Sequence, residues 1–89
     1  MDAALKAISE PTRREILRLV RDEERTASDI ARHFPVTRPA VSQHLRALED
    51  AQLVTVRRDG TRRWYRARPE GLDEMRAWIT GMWTRSLDD

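Results

Sequence analysis

The sequence predicts a mainly α fold with one small β-hairpin, and three observations predict it. Residues 37–48 read Thr-Arg-Pro-Ala-Val-Ser-Gln-His-Leu-Arg-Ala-Leu, which as a helix puts Val41, Leu45 and Leu48 on one face at i, i+4 and i+7. A short helix over Thr26 to about His33 precedes it, with Pro35 and Val36 as a tight connection. After Leu53 the apolar period falls from 3.6 to 2, and two strand candidates flank Asp59-Gly60. Two short helices, a turn and a hairpin in that order form a winged helix-turn-helix, with about five helices and a two-stranded wing.

The remaining elements follow in chain order. Met1 to Ile8 is a short helix candidate with Leu5 and Ile8 apolar at i, i+3, and Ser9-Glu10-Pro11 ends it. Pro11 suits the first turn of a second helix, which runs to about Asp22 with Ile16, Leu17 and Val20 inward. Asp22-Glu23-Glu24 reads as a solvated loop. Thr26-Ala-Ser-Asp29 resembles a capping box with Asp in place of Glu, and Thr37 is the expected N-cap of the next helix. Val54–Arg58 and Thr61–Ala67 are the strands, and Asp59-Gly60 is the expected two-residue turn. That register sets Val54 against Tyr65, Thr55 against Trp64, and Arg57 against Arg62. Like charges directly opposed cost stability, and phosphates between the two guanidiniums would neutralise the pair. Trp64 is expected against the last helix. That helix runs from about Glu70 to Leu87, with Leu72, Met75, Ile79 and Met82 in one stripe that Trp78, Trp83 and Leu87 widen. Such a face is too broad for one small core and points to a second copy of the chain.

Composition narrows the class. The 89 residues fit one domain, spanning 1–89, with N- and C-terminal helices for dimerisation. No apolar run approaches the roughly 20 residues of a membrane span. No signal-peptide pattern opens the chain, so a cytoplasmic location is expected. There is no cysteine, which removes disulfides and thiolate metal sites from the 89 residues. With only three glycines, no phosphate loop, and no spaced His–carboxylate–nucleophile set, an enzyme is not expected; nor is a cofactor or a metal.

The net charge of +2 is unevenly distributed. Residues 37–68 hold eight arginines against Glu49, Asp50 and Asp59, a local net of +5, while the rest holds nine basic and twelve acidic residues, a net of −3. A basic stretch coinciding with a helix-turn-helix and its hairpin is the footprint of a nucleic-acid face. Candidate contacts on the helix are Thr37, Arg38, Ser42, Gln43, His44 and Arg46, and on the wing Arg57, Arg58, Arg62 and Arg63. Arginine pairs with guanine and glutamine with adenine in a major groove, yet either also binds phosphate, and the residues alone leave that division open. His44 beside Leu45 has a structural reading as well as a contacting one. Leu5, Ile8, Leu72, Met75, Trp78, Ile79, Met82 and Trp83 are the candidates for a dimer interface.

Three motifs resemble those of one family. Glu10-Pro-Thr-Arg-Arg-Glu-Ile-Leu17, Arg38-Pro-Ala-Val-Ser-Gln-His-Leu45 and Leu53 through Tyr65 are similar, in order and spacing, to the early motif, recognition helix and wing of ArsR-type (ArsR/SmtB) transcriptional repressors. The resemblance implies a homodimeric winged-helix regulator of operator DNA, with first and last helices at the dimer interface and an inducer that releases DNA in many members. It also implies a subgroup. The metal sensors carry Cys-x-Cys before the recognition helix, or paired histidines and carboxylates on the last helix. This chain has His33 and His44 as its only histidines and no cysteine, like the non-metal members. The competing class is a protein-interaction module that uses the same fold without DNA.

Overall fold

The computed structural model describes the backbone of residues 1–88 and the side chains of residues 1–84. The elements are α1 (Asp2–Ile8), α2 (Pro11–Asp22), β1 (Arg25–Thr26), α3 (Ala27–Ala31), α4 (Arg38–Asp50), β2 (Val54–Asp59), β3 (Arg62–Ala67) and α5 (Pro69–Asp88). Side-chain caps open three helices. Glu10 accepts from the Arg13 amide at 3.0 Å, Thr26 from Asp29 at 3.1 Å, and Thr37 from Ala40 at 3.2 Å. Each satisfies an amide that the first helical turn leaves free.

Ile16 and Val20 of α2, Ile30 of α3, Val41, Leu45 and Leu48 of α4, and Leu53 before β2 are the fully buried core. The inward residues expected of α2 and α4 are those that the core uses. Leu17 of α2, Ala27 of α3, Val54 of β2, Ala4 and Ala7 of α1, Tyr65 of β3 and Met75 of α5 complete it. The chain leaves α4 through a left-handed residue, Gln52, at φ 59°. The Leu53 amide bonds the Leu48 carbonyl and the Gln52 amide bonds that of Glu49, both at 2.9 Å. This is a Schellman motif, and its apolar contact, Leu48 with Leu53, lies in the core.

The sheet has three strands in the order β1-β3-β2, one more than the sequence reading expected. β1 is two residues long and pairs antiparallel to Tyr65 and Trp64, too short to leave a periodic signal. The hairpin register also differs. Val54 faces Ala67, Val56 faces Tyr65, Arg57 faces Trp64, Arg58 faces Arg63, and Asp59 faces Arg62. The turn is therefore Gly60-Thr61, and the one positive φ, 63°, falls on Gly60. A type I′ turn on Asp59-Gly60 needs two positive φ values, whereas a glycine-first turn needs one. The observed register pairs apolar with apolar twice and aspartate with arginine once. Because the slip is by two residues, every side chain keeps its expected face.

α5 is 20 residues long, about 30 Å. Its first two turns dock on the body through Met75, and every residue from Arg76 to Thr84 is exposed. The helix accounts for the elongated shape, 53 × 25 × 20 Å. Leu87 lies outside the described side chains.

Candidate nucleic-acid interface

α4 is held by its apolar back and displays its front. With Val41, Leu45 and Leu48 in the core, Arg38, Ser42, Gln43 and Arg46 are all exposed. Arg38 donates to the Ser42 hydroxyl at 2.6 Å, which lays its side chain along the helix. Across from this face stands the tip of the hairpin. The space between α3, α4 and the wing is a groove of about 910 Å³. Arg32, Arg38, Arg46, Arg62 and Arg63 line it, against Glu49 and Asp50. Arg46, Arg62 and Arg63 have no ion-pair partner among the described residues. A concave surface walled by unpaired guanidiniums focuses positive potential and attracts a polyanion.

The structure gathers most of the sequence candidates and sets some aside. Arg38, Ser42, Gln43, Arg46, Arg62 and Arg63 share the groove. Arg58 is exposed directly opposite Arg63, so the opposed arginine pair exists one position from where it was expected. Thr37 uses its hydroxyl as a cap.

Two candidates are corrected. Arg57 does not face Arg62. It gives Nε and Nη2 to Glu24 at 3.1 and 3.0 Å and lies 5.5 Å from the centroid of the Trp64 ring. The hydrogen bond from Arg57 holds the Glu24 carboxyl below its ordinary pKa, so Glu24 is not the free loop acid it resembled. Trp64 correspondingly lies under Arg57, with its indole N–H buried and lacking an acceptor among the described residues. His44 is half-buried, and its Nδ1 accepts from Arg13 Nε at 3.2 Å. The Glu10 carboxylate lies 3.9 Å from the same nitrogen. His44 docks α4 on the start of α2 and is not among the residues that line the groove.

Arg32 was missed. It follows α3, lies in the groove, and touches Asp29 at 3.3 Å with three-quarters of its side chain exposed. The only signal was its place just upstream of the turn.

The interface candidates divide too. Met75 is turned into the protomer's own core, 4% exposed, because the α5 stripe begins on the body before it leaves it. Leu5, Ile8 and Leu72 are half-buried against the core. Trp78, Ile79, Met82 and Trp83 are 47%, 53%, 54% and 69% exposed, on one face of α5.

A helix-turn-helix whose second helix and wing bound a basic groove defines a winged-helix DNA-binding protein. Comparison with known proteins gives the family. The model described as "Bacterial regulatory protein, arsR family" matches residues 10–56, from the cap of α2 into β2. The chain is 43% identical over 86 residues to the HTH-type transcriptional regulator Rv2034 of Mycobacterium tuberculosis, covering 97% of this chain and 80% of that one. It is 35% identical over 89 residues to the transcriptional repressor SdpR of Bacillus subtilis, covering 100% and 99%. Among solved structures it is similar to a possible transcriptional regulator for arsenical resistance, with TM-score 0.82 and 46% identity over 90% of this chain and 83% of that one. It is also similar to the homodimeric winged helix-turn-helix DNA-binding domain of Mb0332 from Mycobacterium bovis, with TM-score 0.74 and 30% identity over 93% and 77%. The chain belongs to the arsR family of bacterial regulatory proteins and is a DNA-binding transcriptional regulator. The reading as an interaction module without DNA gives way to this one.

Proposed function

We propose that the chain acts as a single-domain, homodimeric repressor, with residues 1–89 supplying both DNA reading and dimerisation. Two copies pack through α1 and the exposed face of α5. Their α4 helices then enter successive major grooves roughly 34 Å apart on a near-palindromic operator. Arg38 and Gln43 read base edges, Ser42 and Arg46 contact bases or phosphate beside them, and Arg62, Arg63 and Arg58 hold phosphates from the wing. The observation that carries this reading is the groove itself, in which Arg46 on α4's polar front and Arg62 and Arg63 on the wing have no ion-pair partner among the described residues.

The chain works in the cytoplasm, where its DNA is, and no helix of the described residues is long and apolar enough to cross a membrane. Its trigger is an inducer other than a thiolate-bound metal. The 89 residues contain no cysteine, and soft metals select thiolate ligands. No catalytic role is assigned. The test is selection of duplexes from a random pool by the wild-type protein, repeated with Arg38→Ala and Gln43→Ala. Each variant is expected to relax preference at particular base pairs, costing about 1–3 kcal/mol of discrimination there. Unchanged selectivity in both would remove them from base reading.

A further inference from the structure

The base of the wing carries a contact that the groove does not use. Arg57 is on β2 and Glu24 immediately precedes β1, and β3 lies between those strands. The Arg57 side chain therefore crosses the middle strand, over the Trp64 ring, to grip both carboxylate oxygens of Glu24. Its Nη1 is also 3.9 Å from Asp59. Beyond this point the wing is a two-stranded ribbon, because β1 pairs only with Tyr65 and Trp64. A two-stranded ribbon is marginal by itself and readily twisted, so its tilt is set by what holds its base. The bidentate fork fixes orientation as well as distance, which a lysine in place of Arg57 could not do.

We propose that Glu24 is a positioning residue for DNA binding: through Arg57 it sets the tilt of the wing that aims Arg62 and Arg63 at the groove, and it withholds Arg57 from phosphate. This rests on the groove being the DNA site, and it assigns a role to a residue outside that site. Arg57 looks by sequence like one more phosphate contact. Its charge is already matched by Glu24, which holds its Nε and Nη2.

The salt dependence of binding separates aiming from contacting. The probe is a fluorescein-labelled duplex that the wild-type protein selects from a random pool, followed by anisotropy across a salt series well below the melting temperature. Glu24→Gln and Arg57→Gln are each expected to weaken binding roughly fivefold, the upper worth of an exposed ion pair. Arg57→Gln should leave the slope of log K against log salt unchanged, and Glu24→Gln, which frees Arg57, should not make it shallower. Arg57→Glu should weaken binding further, and adding Glu24→Arg should recover several-fold with the wild-type slope. Arg62→Ala, run alongside, should make the slope shallower by about 1 per lost phosphate contact. A slope that falls for Arg57→Gln would show direct phosphate contact and overturn the proposal. So would wild-type affinity in Glu24→Gln, or no recovery in the exchanged pair. If Arg62→Ala alone leaves slope and affinity untouched, the groove reading fails instead.

Discussion

Replacing Ile79 by aspartate tests the exposed face of α5 as a partner surface. Trp78, Ile79, Met82 and Trp83 are between 47% and 69% exposed, so about half of each side chain remains to be buried. Complete burial of a large apolar side chain stabilises by roughly 1.5–3 kcal/mol, so half-burial of four from each protomer gives ~6–12 kcal/mol. Association itself costs ~4–15 kcal/mol, which makes the contribution of each residue decisive. Ile79→Asp removes about 1 kcal/mol of burial per protomer and forces a carboxylate against apolar surface at an added ~1–3 kcal/mol. Two-fold symmetry applies the change twice, so the dimer dissociation constant should rise by at least 10²-fold, where ~1.4 kcal/mol is tenfold. Sedimentation equilibrium reads this directly, and circular dichroism should stay that of the folded protomer, because Ile79 is outside its core. An Ile79→Asp protein that dimerises like the wild type would refute the assignment of this face.

Three further outcomes follow from local geometry. Gln52→Gly should raise thermal stability by about 0.5–1 kcal/mol, because glycine holds the left-handed C′ position without Cβ strain. Gly71→Ala should destabilise by ~1–3 kcal/mol in chemical denaturation, since an added Cβ runs into the Gln52 carbonyl and meets Leu53 at 3.1 Å. Hydrogen bonds from arginine hold Glu24 and Asp29 below their ordinary pKa values of 4.5 and 3.8. Depressed carboxylates contribute stability above their ordinary pKa and lose it as pH falls through the folded value. Melting temperatures should therefore drop below about pH 4.5, and the drop should be shallower in Glu24→Gln with Asp29→Asn.

Periodicity made most of the fold legible. The stripe Val41, Leu45, Leu48 placed α4 and its polar front, and the short caps at Thr26 and Thr37 placed the turn before it. The hairpin was legible as a hairpin but misplaced by two residues. The Asp-Gly signal marks where a positive φ is cheap, not which side of the glycine the second turn residue lies on. Cross-strand packing decided that, through Val56 on Tyr65 and Val54 on Ala67. The Arg57–Glu24 pair was illegible for a related reason. Its partners are 33 residues apart, and no local pattern distinguishes an arginine that is already engaged from one that is free. His44 gave a partial signal through its place beside Leu45, and only packing on α2 resolved it.

An arginine groove that binds DNA phosphate must release counterions when it does so. Arg58, Arg62 and Arg63 from two wings, with Arg46 from each α4, offer about six to eight contacts. Such a dimer should show log K falling against log salt with a slope of about −5 to −7, a loss of ~10³–10⁴-fold in affinity between 50 and 200 mM salt. Measuring that slope for the wild type and for Arg62→Ala with Arg63→Ala is the most direct test. The slope should become shallower by about 3 to 4 for the double variant in both protomers. An unchanged slope and affinity would contradict phosphate binding by the groove.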